Sequence, residues 1–508
     1  MRLAELLAGL SLVTDLAARH PSEQALRASI LATRLAERMG LPDAEAKHAF
    51  YATLLRFVGC TAPMPEYAEV MGEIDNEMRP RGDMTDLTNP RESFRFLFSL
   101  GQSAPAWRRP TLWAGVLTKG RTAAGPGIRS DCEVAIRMAQ RFRLPAAVGD
   151  ALYAHFERWD GHGLPRGLSG EAIPRPARVA AVAFAATMFH QAGGRTDAVG
   201  AIRRWSGRIL DPSLAEGFLA ASDELLQSVE TPDAWLEALQ SEPAPREFVP
   251  EQRLDDILQG FADFVDLKSK YLHGHSSGVA TLAEAAGRTL GMADKDAAIL
   301  RRAGLVHDIG RAAIGTTTWD KPGQLSTAEW EQVRLHAYHG ERVLTRSLVL
   351  APLAPIAGMH HERMDGSGYH RGAPAAMQSR LARVLAAADV YHALTEERPH
   401  RQALSRDAAA RVLEAQPGLD KEAVGAVLAA AGHEPSRTKG AWPAGLSDRE
   451  VEVLRLLARG RSESQVAQAL FISPATVHTH VTHIYEKAGV TTRASAALFA
   501  MEHGLLEV

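Results

Sequence analysis

Cysteine is nearly absent from this chain of 508 residues, which has only Cys60 and Cys132. Their spacing matches no zinc site, and two such distant thiols cannot form a disulfide framework, so we expect a reducing compartment, the cytoplasm. Neither sign of charge dominates. Lysine and arginine number 57 and aspartate and glutamate 60, a net charge of −3, which excludes a general electrostatic attraction to nucleic acid or membranes.

Long hydrophobic runs are also missing, and none reaches the roughly 18 residues that would span a bilayer. The apolar start of the chain is interrupted by Glu5 and Asp15, and no small-residue cleavage site follows it, so we expect neither a signal peptide nor a membrane partner. The apolar content of 46% and charged content of 23% are those of a globular protein. Its length predicts two to four domains.

The first half of the chain repeats the second. LAELLAGLSLVTDL from Leu3 aligns with LDDILQGFADFVDL from Leu254, an offset of 251 residues (254 − 3). HFERWDGHGLPRG from His155 aligns with HHERMDGSGYHRG from His360, an offset of 205 (360 − 155). The first copy therefore carries 46 additional residues (251 − 205), placed within Thr61–Ser130. Similarity over this length predicts a duplicated domain, since solenoids repeat at shorter periods.

Proline- and glycine-containing linkers, Ser241–Gln252 and Gly432–Gly445, separate three predicted domains at residues 1–240, 250–432 and 443–508. Apolar residues recur at three- and four-residue spacing and strand-like alternation is scarce. The chain is therefore predicted to be all-α, with two helical domains in tandem and a smaller C-terminal one.

Adjacent His307 and Asp308 end an apolar helical run within GLVHDIGRAAIG. An imidazole on one ion and a carboxylate bridging two is a suitable arrangement for a pair of divalent metals. Further candidate ligands are distributed around this pair, at intervals that helices can bring together: His275, His336, His360, His361 and Asp389.

Three more motifs accompany the His-Asp pair in order: DKPGQLSTAEW (Asp320–Trp330), HHERMDGSGYHRG (His360–Gly372) and ADVYHALTEERPHR (Ala388–Arg401). Together the four motifs resemble the HD-GYP family, metal-dependent phosphodiesterases that cleave cyclic di-GMP. The resemblance covers roughly Leu254–Gly432 and implies an HD-type helical domain with two or three metal ions.

The resemblance also implies roles for individual residues. Asp308 and Arg311 are the catalytic candidates, Arg398 and Arg401 match positions that bind the substrate phosphates, and Arg363 is a further substrate-binding candidate. The implied cofactor is a pair of divalent transition-metal ions, Fe or Mn. Its implied ligands are His275, His307, Asp308, His336, His360, His361 and Asp389.

Several positions depart from the family pattern. Arg311 replaces a lysine, and these two cations differ in shape and in donor geometry. Gly368-Tyr369-His370 replaces the Gly-Tyr-Pro motif, His392 replaces an aspartate, and Tyr271 stands where members with three metals carry a glutamate. Because a phenol is a poor ligand for a hard cation, two metals are expected.

The first copy has lost most of these ligands. Residues without metal-binding lone pairs, or with weak ones, replace them: Gln24, Arg56, Phe57, Phe156 and Phe184, while His155 is kept. The first copy therefore resembles a degenerate HD-GYP domain. We expect it to bind no metal and to serve as a packing or dimerisation partner, with a ligand sensor as the alternative.

The tail from Leu446 predicts four short helices. Ser447 and Glu450 form a capping box, and Ser473 precedes a further helix that has Pro474 at its first position. A short helix, a tight turn and a polar-faced helix are typical of a helix-turn-helix. The segment closely resembles the LuxR-type DNA-binding domain.

This second resemblance implies that the helix Pro474–Lys487 enters the major groove of DNA. The predicted DNA-binding residues are Thr476, His478, Thr479, Thr482, Lys487 and Arg493. However, Leu446–Val508 contains six Lys and Arg against seven Asp and Glu, and few cations mean weak phosphate contact. A protein-interaction helix bundle is therefore the alternative.

The sequence as a whole predicts a bacterial transcriptional regulator that couples a dinuclear-metal phosphodiesterase domain, acting on cyclic di-GMP or a related nucleotide, to sequence-specific DNA binding. Two alternatives remain open. The metal domain could sense a nucleotide without cleaving it, or it could hydrolyse a different nucleotide. Helix-turn-helix modules act as dimers on paired half-sites, so a homodimer is expected.

Overall fold

The computed structural model describes residues 1–71, 75–102, 105–432 and 442–506. Over these ranges the chain is helical, with isolated β-bridges and no β-strand, so the all-α prediction is confirmed. Two compact units are formed, Met1–Leu254 and Asp255–Val508. The linker predicted at Gly432–Gly445 lies mostly outside the described residues.

The first unit contains thirteen α-helices within its described residues. In chain order they are α1 Leu3–Ala18, α2 Gln24–Arg38, α3 Asp43–Leu54, α4 Met64–Met71, α5 Asp75–Gly82, α6 Pro90–Ser99, α7 Arg109–Gly115, α8 Arg121–Arg141, α9 Ala146–Tyr153, α10 Arg175–Trp205, α11 Pro212–Ala220, α12 Ser222–Val229 and α13 Ala234–Gln240. Helix α10 is interrupted at Gly193 and Gly194, whose backbone angles are not helical. The core of the first unit forms where α2 packs against α3 and α10.

The second unit begins with a further set of helices: α14 Leu254–Asp266, α15 His275–Thr289, α16 Asp294–Val306, α17 Thr316–Trp319, α18 Thr327–Leu344, α19 Ala354–Ala357, α20 Arg380–Thr395, α21 Arg406–Ala415 and α22 Lys421–Gly432. Helix α15 is central, because α16, α20 and α22 all pack against it. We call this part of the unit the metal domain.

The duplication is visible in the helix starts. Helices α1, α2 and α3 begin 251 residues before α14, α15 and α16, the offset found in the sequence. The glycines Gly59 and Gly310 keep the same offset, and both lie against backbone. A Cβ on Gly310 would lie 1.9 Å from the carbonyl oxygen of His336, and one on Gly59 would lie 1.9 Å from that of Asp131. Each copy therefore needs glycine there.

The tail folds as α23 Asp448–Ala458, α24 Glu463–Leu470, α25 Pro474–Ala488 and α26 Arg493–Glu502, which we call the DNA-binding domain. The predicted capping box of Ser447 and Glu450 is present, and Ser473 caps α25. Helix α25 turns Val477, Val481 and Ile484 into the core. In the part of the chain that the structure describes, no helix has the length and apolarity to cross a membrane.

Candidate metal centre and DNA-binding surface

Five helices of the metal domain bring the predicted ligands together. His275 is the first residue of α15, and His307 and Asp308 directly follow α16. His336 lies on α18 and Asp389 on α20, while the His360-His361 pair follows α19. Apart from His361, which keeps a partly exposed side chain, all of these residues are buried.

Asp308 lies at the middle of this cluster, and its two carboxylate oxygens face different histidines. Oδ2 is 3.0 Å from Nε2 of His307 and 3.5 Å from Nε2 of His275. Oδ1 is 3.3 Å from Nε2 of His336 and 3.5 Å from Nε2 of His360. One carboxylate therefore lies between two groups of imidazoles, as a bridging ligand of two metals must.

The other carboxylate, Asp389, lies beside His275 and His307, the two histidines that face Oδ2 of Asp308. Its Oδ1 is 3.2 Å from Nε2 of His275 and 3.7 Å from Nε2 of His307. His361 completes the other group, since it clusters with His336 and His360. Asp389 also approaches the second group, since its Oδ2 is 3.8 Å from Nδ1 of His361 and it clusters with His307 and His360. The candidate ligands therefore form two adjoining groups, His275-His307-Asp308 and His336-His360-His361, with Asp389 near both.

The donor set fits divalent metal ions. Both oxygens of Asp308 and Nε2 of His307 are buried, and although they contact one another and Arg311, none of these contacts has the geometry of a hydrogen bond. Buried polar atoms without a partner are costly, so the protein needs another group to satisfy them. Imidazole nitrogen and carboxylate oxygen together suit transition metals such as iron and manganese.

Three of the histidines are oriented by backbone carbonyls three residues earlier. Nδ1 of His307 donates to Gly304, that of His336 to Val333 and that of His360 to Ala357, at 2.7, 2.5 and 2.6 Å. This contact places the proton on Nδ1 and leaves Nε2 free to act as a ligand.

The electrostatics favour ionised carboxylates in this cluster. Burial opposes the charge on Asp308, but Arg311 and His307 outweigh it and hold its pKa well below the ordinary value. Burial likewise opposes the charge on His307, yet Asp308 and Asp389 raise its pKa to about 10. Because a ligand imidazole must be neutral, metal uptake has to displace a proton from His307.

Arg311, the residue that replaces the family lysine, lies against Asp308. Its Nε is 2.9 Å from Oδ2 of Asp308, and its guanidinium group stacks 4.9 Å from the ring centroid of Trp319. The side chain is almost fully buried. Arg311 is thus a fixed positive charge next to the carboxylate that lies between the two ligand sets.

Comparison with known proteins agrees with this architecture. The HD domain family matches residues 128–214 and 259–422, one segment in each copy. The chain is 30% identical over 416 residues to the 3'3'-cGAMP-specific phosphodiesterase 3 of Vibrio cholerae, which covers 81% of this chain and 90% of that protein. This chain belongs to the HD-GYP phosphodiesterase family.

Two other relatives support the assignment of the HD-GYP domains. The crystal structure of the cyclic GMP-AMP-specific phosphodiesterase V-cGAP3 of V. cholerae has a TM-score of 0.59 and 27% identity, covering 86% of this chain and all of that one. The cyclic di-GMP phosphodiesterase PA4108 of Pseudomonas aeruginosa is 35% identical over 168 residues, 33% of this chain and 41% of that protein.

The bacterial regulatory protein family luxR matches residues 444–500, which nearly coincide with the DNA-binding domain. The chain therefore fuses a tandem HD-GYP phosphodiesterase to a LuxR-type DNA-binding domain. Metal dependence is a property of HD-domain phosphodiesterases, and the ligand clusters of the second copy are consistent with it.

The substrate-binding candidates of the HD-GYP domain have donors that are already engaged, and of the three Arg398 lies next to a candidate ligand, 3.4 Å from Nδ1 of His275. Arg398 donates to Glu396 at 2.7 Å, and Arg401 donates to the carbonyls of Ala393, Leu394 and Gln402. Arg363 donates to the carbonyl of Glu362. A phosphate would have to compete with these contacts, most of all at Arg401, which holds the end of α20.

The degenerate HD-GYP copy has an ionic cluster at the equivalent place. Arg56 is half-buried, stacks 4.9 Å from the Phe184 centroid and donates to the carbonyl of His155. Two carboxylates join it: Asp83 contacts His20 at 2.9 Å, and Asp131 contacts Arg79 at 3.5 Å. Asp131 stands at the position of His336 by the offset of 205 residues (336 − 131), so the repeat aligns it with a ligand, whereas Asp83 comes from the insertion and has no counterpart in the second copy.

On the DNA-binding domain, the four predicted groove-facing residues Thr476, His478, Thr479 and Thr482 are all exposed along α25. The two predicted phosphate contacts are engaged within the domain instead. Nζ of Lys487 lies 2.7 and 2.9 Å from the Glu450 carboxylate, and Arg493 donates to the carbonyls of Leu457 and Arg461.

The DNA-binding domain contacts the HD-GYP domain of the same unit. Arg461 pairs with Glu397 at 3.1 Å, and His273 contacts the carbonyl of Ala458. The tail thus covers part of His273, and burial lowers the pKa of this imidazole to about 4.

Proposed function

We propose that this protein is a transcriptional regulator whose second HD-GYP domain hydrolyses a cyclic dinucleotide at a centre of two Fe or Mn ions. One observation carries the proposal: the two oxygens of Asp308 face separate histidine groups, each complete enough to hold one ion. The relatives' names indicate cyclic di-GMP or 3'3'-cGAMP as the substrate class.

In this proposal the bound ions supply Lewis acidity to the phosphodiester. The chain's own residues bind and orient. Asp308 joins the two ligand sets, and Arg311 compensates its charge. Arg398, Arg401 and Arg363 are the phosphate-binding candidates, since guanidinium groups make strong, charge-assisted contacts to phosphate oxygens.

The C-terminal domain would bind DNA in the cytoplasm through the exposed face of α25, which carries Thr476, His478, Thr479 and Thr482. Lys487 and Arg493 are the remaining DNA-contact candidates, each after release of its present partner. A single module of this kind buries little surface on DNA, so we propose a homodimer that reads two half-sites.

The test is product analysis after incubation of Mn²⁺-loaded protein with cyclic di-GMP and, separately, 3'3'-cGAMP. We expect a linear dinucleotide from at least one of them. Asp308→Ala should lose both turnover and bound metal, because its removal leaves the two ligand sets without a shared carboxylate. Elemental analysis that finds no transition metal in the wild-type protein after anaerobic purification would refute the proposal.

A nucleotide sensor without turnover is the second candidate function. The position of Arg311 favours it, since a guanidinium group 2.9 Å from Asp308 competes with metal for that carboxylate. In that case the protein binds cyclic dinucleotide but releases no product, and Arg311→Lys, which gives the residue usual in the family, restores hydrolysis. Turnover of another nucleotide alone would identify a different phosphohydrolase.

A further inference from the structure

His275 is oriented differently from the other buried histidines of the metal centre. His307, His336 and His360 each direct Nδ1 to the carbonyl three residues earlier. His275, the first residue of α15, does not follow this pattern, because its Nδ1 faces a side chain from another helix. Another acceptor must hold its ring.

That acceptor is Glu396, at the end of α20. Its Oε2 is 2.8 Å from Nδ1 of His275, and the side chain is only 18% exposed. Arg398 donates to the same oxygen at 2.7 Å, while Nδ1 of His392 lies 3.4 Å from Oε1. The carboxylate is thus held in place from two sides and is directed at the metal ligand.

We propose that Glu396 is the positioning residue of His275; this inference rests on the metal centre of the proposed function. A carboxylate that accepts the Nδ1 proton presents Nε2 as a lone pair toward Asp308 and Asp389. It also makes the imidazole a more basic ligand than a backbone carbonyl does. Glu396 therefore accepts the Nδ1 proton of His275, as the carbonyl three residues earlier does for each of the other three histidines.

Glu397 provides a matched control. It is the next residue and also a half-buried glutamate paired with an arginine, but it contacts Arg461 of the DNA-binding domain rather than a metal ligand. Substitutions at the two positions change the same charge in the same segment. A general effect on folding or on the local field should appear at both, whereas an effect on His275 should appear only at Glu396.

The experiment measures Mn²⁺ affinity by chelator competition, and Mn²⁺ stoichiometry at saturation, in full-length wild-type, Glu396→Ala, Glu396→Gln and Glu397→Ala proteins. Loss of an outer partner of a ligand histidine lowers metal affinity roughly 10–100-fold. We expect this loss in Glu396→Ala with unchanged stoichiometry. Glu396→Gln should recover part of it, because the amide oxygen still accepts from Nδ1. Glu397→Ala should equal the wild type.

Three results would overturn the proposal. Wild-type affinity in Glu396→Ala would show that His275 needs no such partner. One ion fewer at saturation in that variant would make Glu396 a ligand, together with His275 and His392, instead of a positioning residue. Equal losses in the Glu396 and Glu397 variants would indicate a general structural effect. Wild-type protein that takes up no Mn²⁺ would instead refute the metal centre of the proposed function, and this inference with it.

Discussion

At the scale of single residues, the two HD-GYP copies have different charged groups at equivalent positions. The second copy gathers carboxylates and imidazoles whose buried lone pairs need a cation. The first copy places the guanidinium group of Arg56 there, and burial lowers the pKa of this group to about 10 even though Asp83 and Asp131 oppose that shift. By the offset of 251 residues, Arg56 stands at the position of His307, so the first copy has a cation where the second has a candidate ligand.

This cluster predicts a pH-dependent stability in the first unit. Burial and the nearby Arg56 lower the pKa of His155 to about 3, against 6.5 ordinarily. Below pH 6.5 the unfolded chain therefore binds a proton that the folded one does not, and stability falls as pH falls. One such proton amounts to about 1.4 kcal/mol per pH unit.

The corresponding variant is His155→Gln, which cannot be protonated. Between about pH 6.5 and pH 5, amides of α9 and α10 should lose roughly 2 kcal/mol more protection in the wild type than in the variant, as measured by hydrogen exchange. Asp131, whose pKa burial raises to about 6, shifts stability in the opposite direction in both proteins. Equal pH dependence in both proteins would mean that His155 is charged in the fold.

At the scale of helices and turns, the helix-turn-helix contains a strained residue. Phe471 ends α24 with a φ of 54°, in the left-handed region, and its side chain is 95% exposed. A side chain other than glycine or asparagine is unfavourable there, and this one recovers no free energy by burial.

Phe471→Asn should therefore stabilise the DNA-binding domain by about 1 kcal/mol. The measurement is hydrogen-exchange protection of α24 and α25 in the full-length protein without DNA, with Leu348→Asn as a control at another exposed apolar position. Lower protection in Phe471→Asn would show that the phenyl ring is covered in solution, for example by a second copy of the chain.

At the scale of the whole molecule, one short segment joins the two functions of the second unit. Glu396 contacts the metal ligand His275, and its neighbour Glu397 holds Arg461 of the DNA-binding domain. A cavity of about 520 Å³ lies at the same junction and has walls from both domains, including His392, Glu397 and Arg459. We expect a nucleotide that moves this segment to change the docking of the DNA-binding domain as well, because the two contacts are made by adjacent residues.

We therefore expect cyclic dinucleotide to change DNA affinity, by a factor in the usual range of about 5–150 for coupled sites. Gel-shift titrations with and without nucleotide measure it, and the same factor must appear in nucleotide affinity when DNA is present. Arg461→Ala should reduce the factor. Arg449→Ala, which breaks an ion pair inside the DNA-binding domain, should not. Superimposable curves in the wild type would mean two independent modules.

Local and periodic properties of this protein follow from its sequence alone. Helical periodicity, capping residues at Ser447 and Ser473 and the repeat offset of 251 residues all depend on neighbours close in sequence, so they predicted the helices, the duplication and the tail. The candidate ligands could also be found in the sequence, because each lies in a short motif, and the fold brings these residues into one cluster.

Tertiary structure alone decided which side chains outside those motifs meet them. Glu396 reaches His275 across 121 positions of sequence, and Arg461 reaches Glu397 across 64. The burial of His273 under the tail and the entry of Asp83 into the degenerate site are of the same kind. Sequence periodicity does not predict such pairs, because they form where helices distant in sequence pack together. Their donors and acceptors become partners only once that packing excludes water.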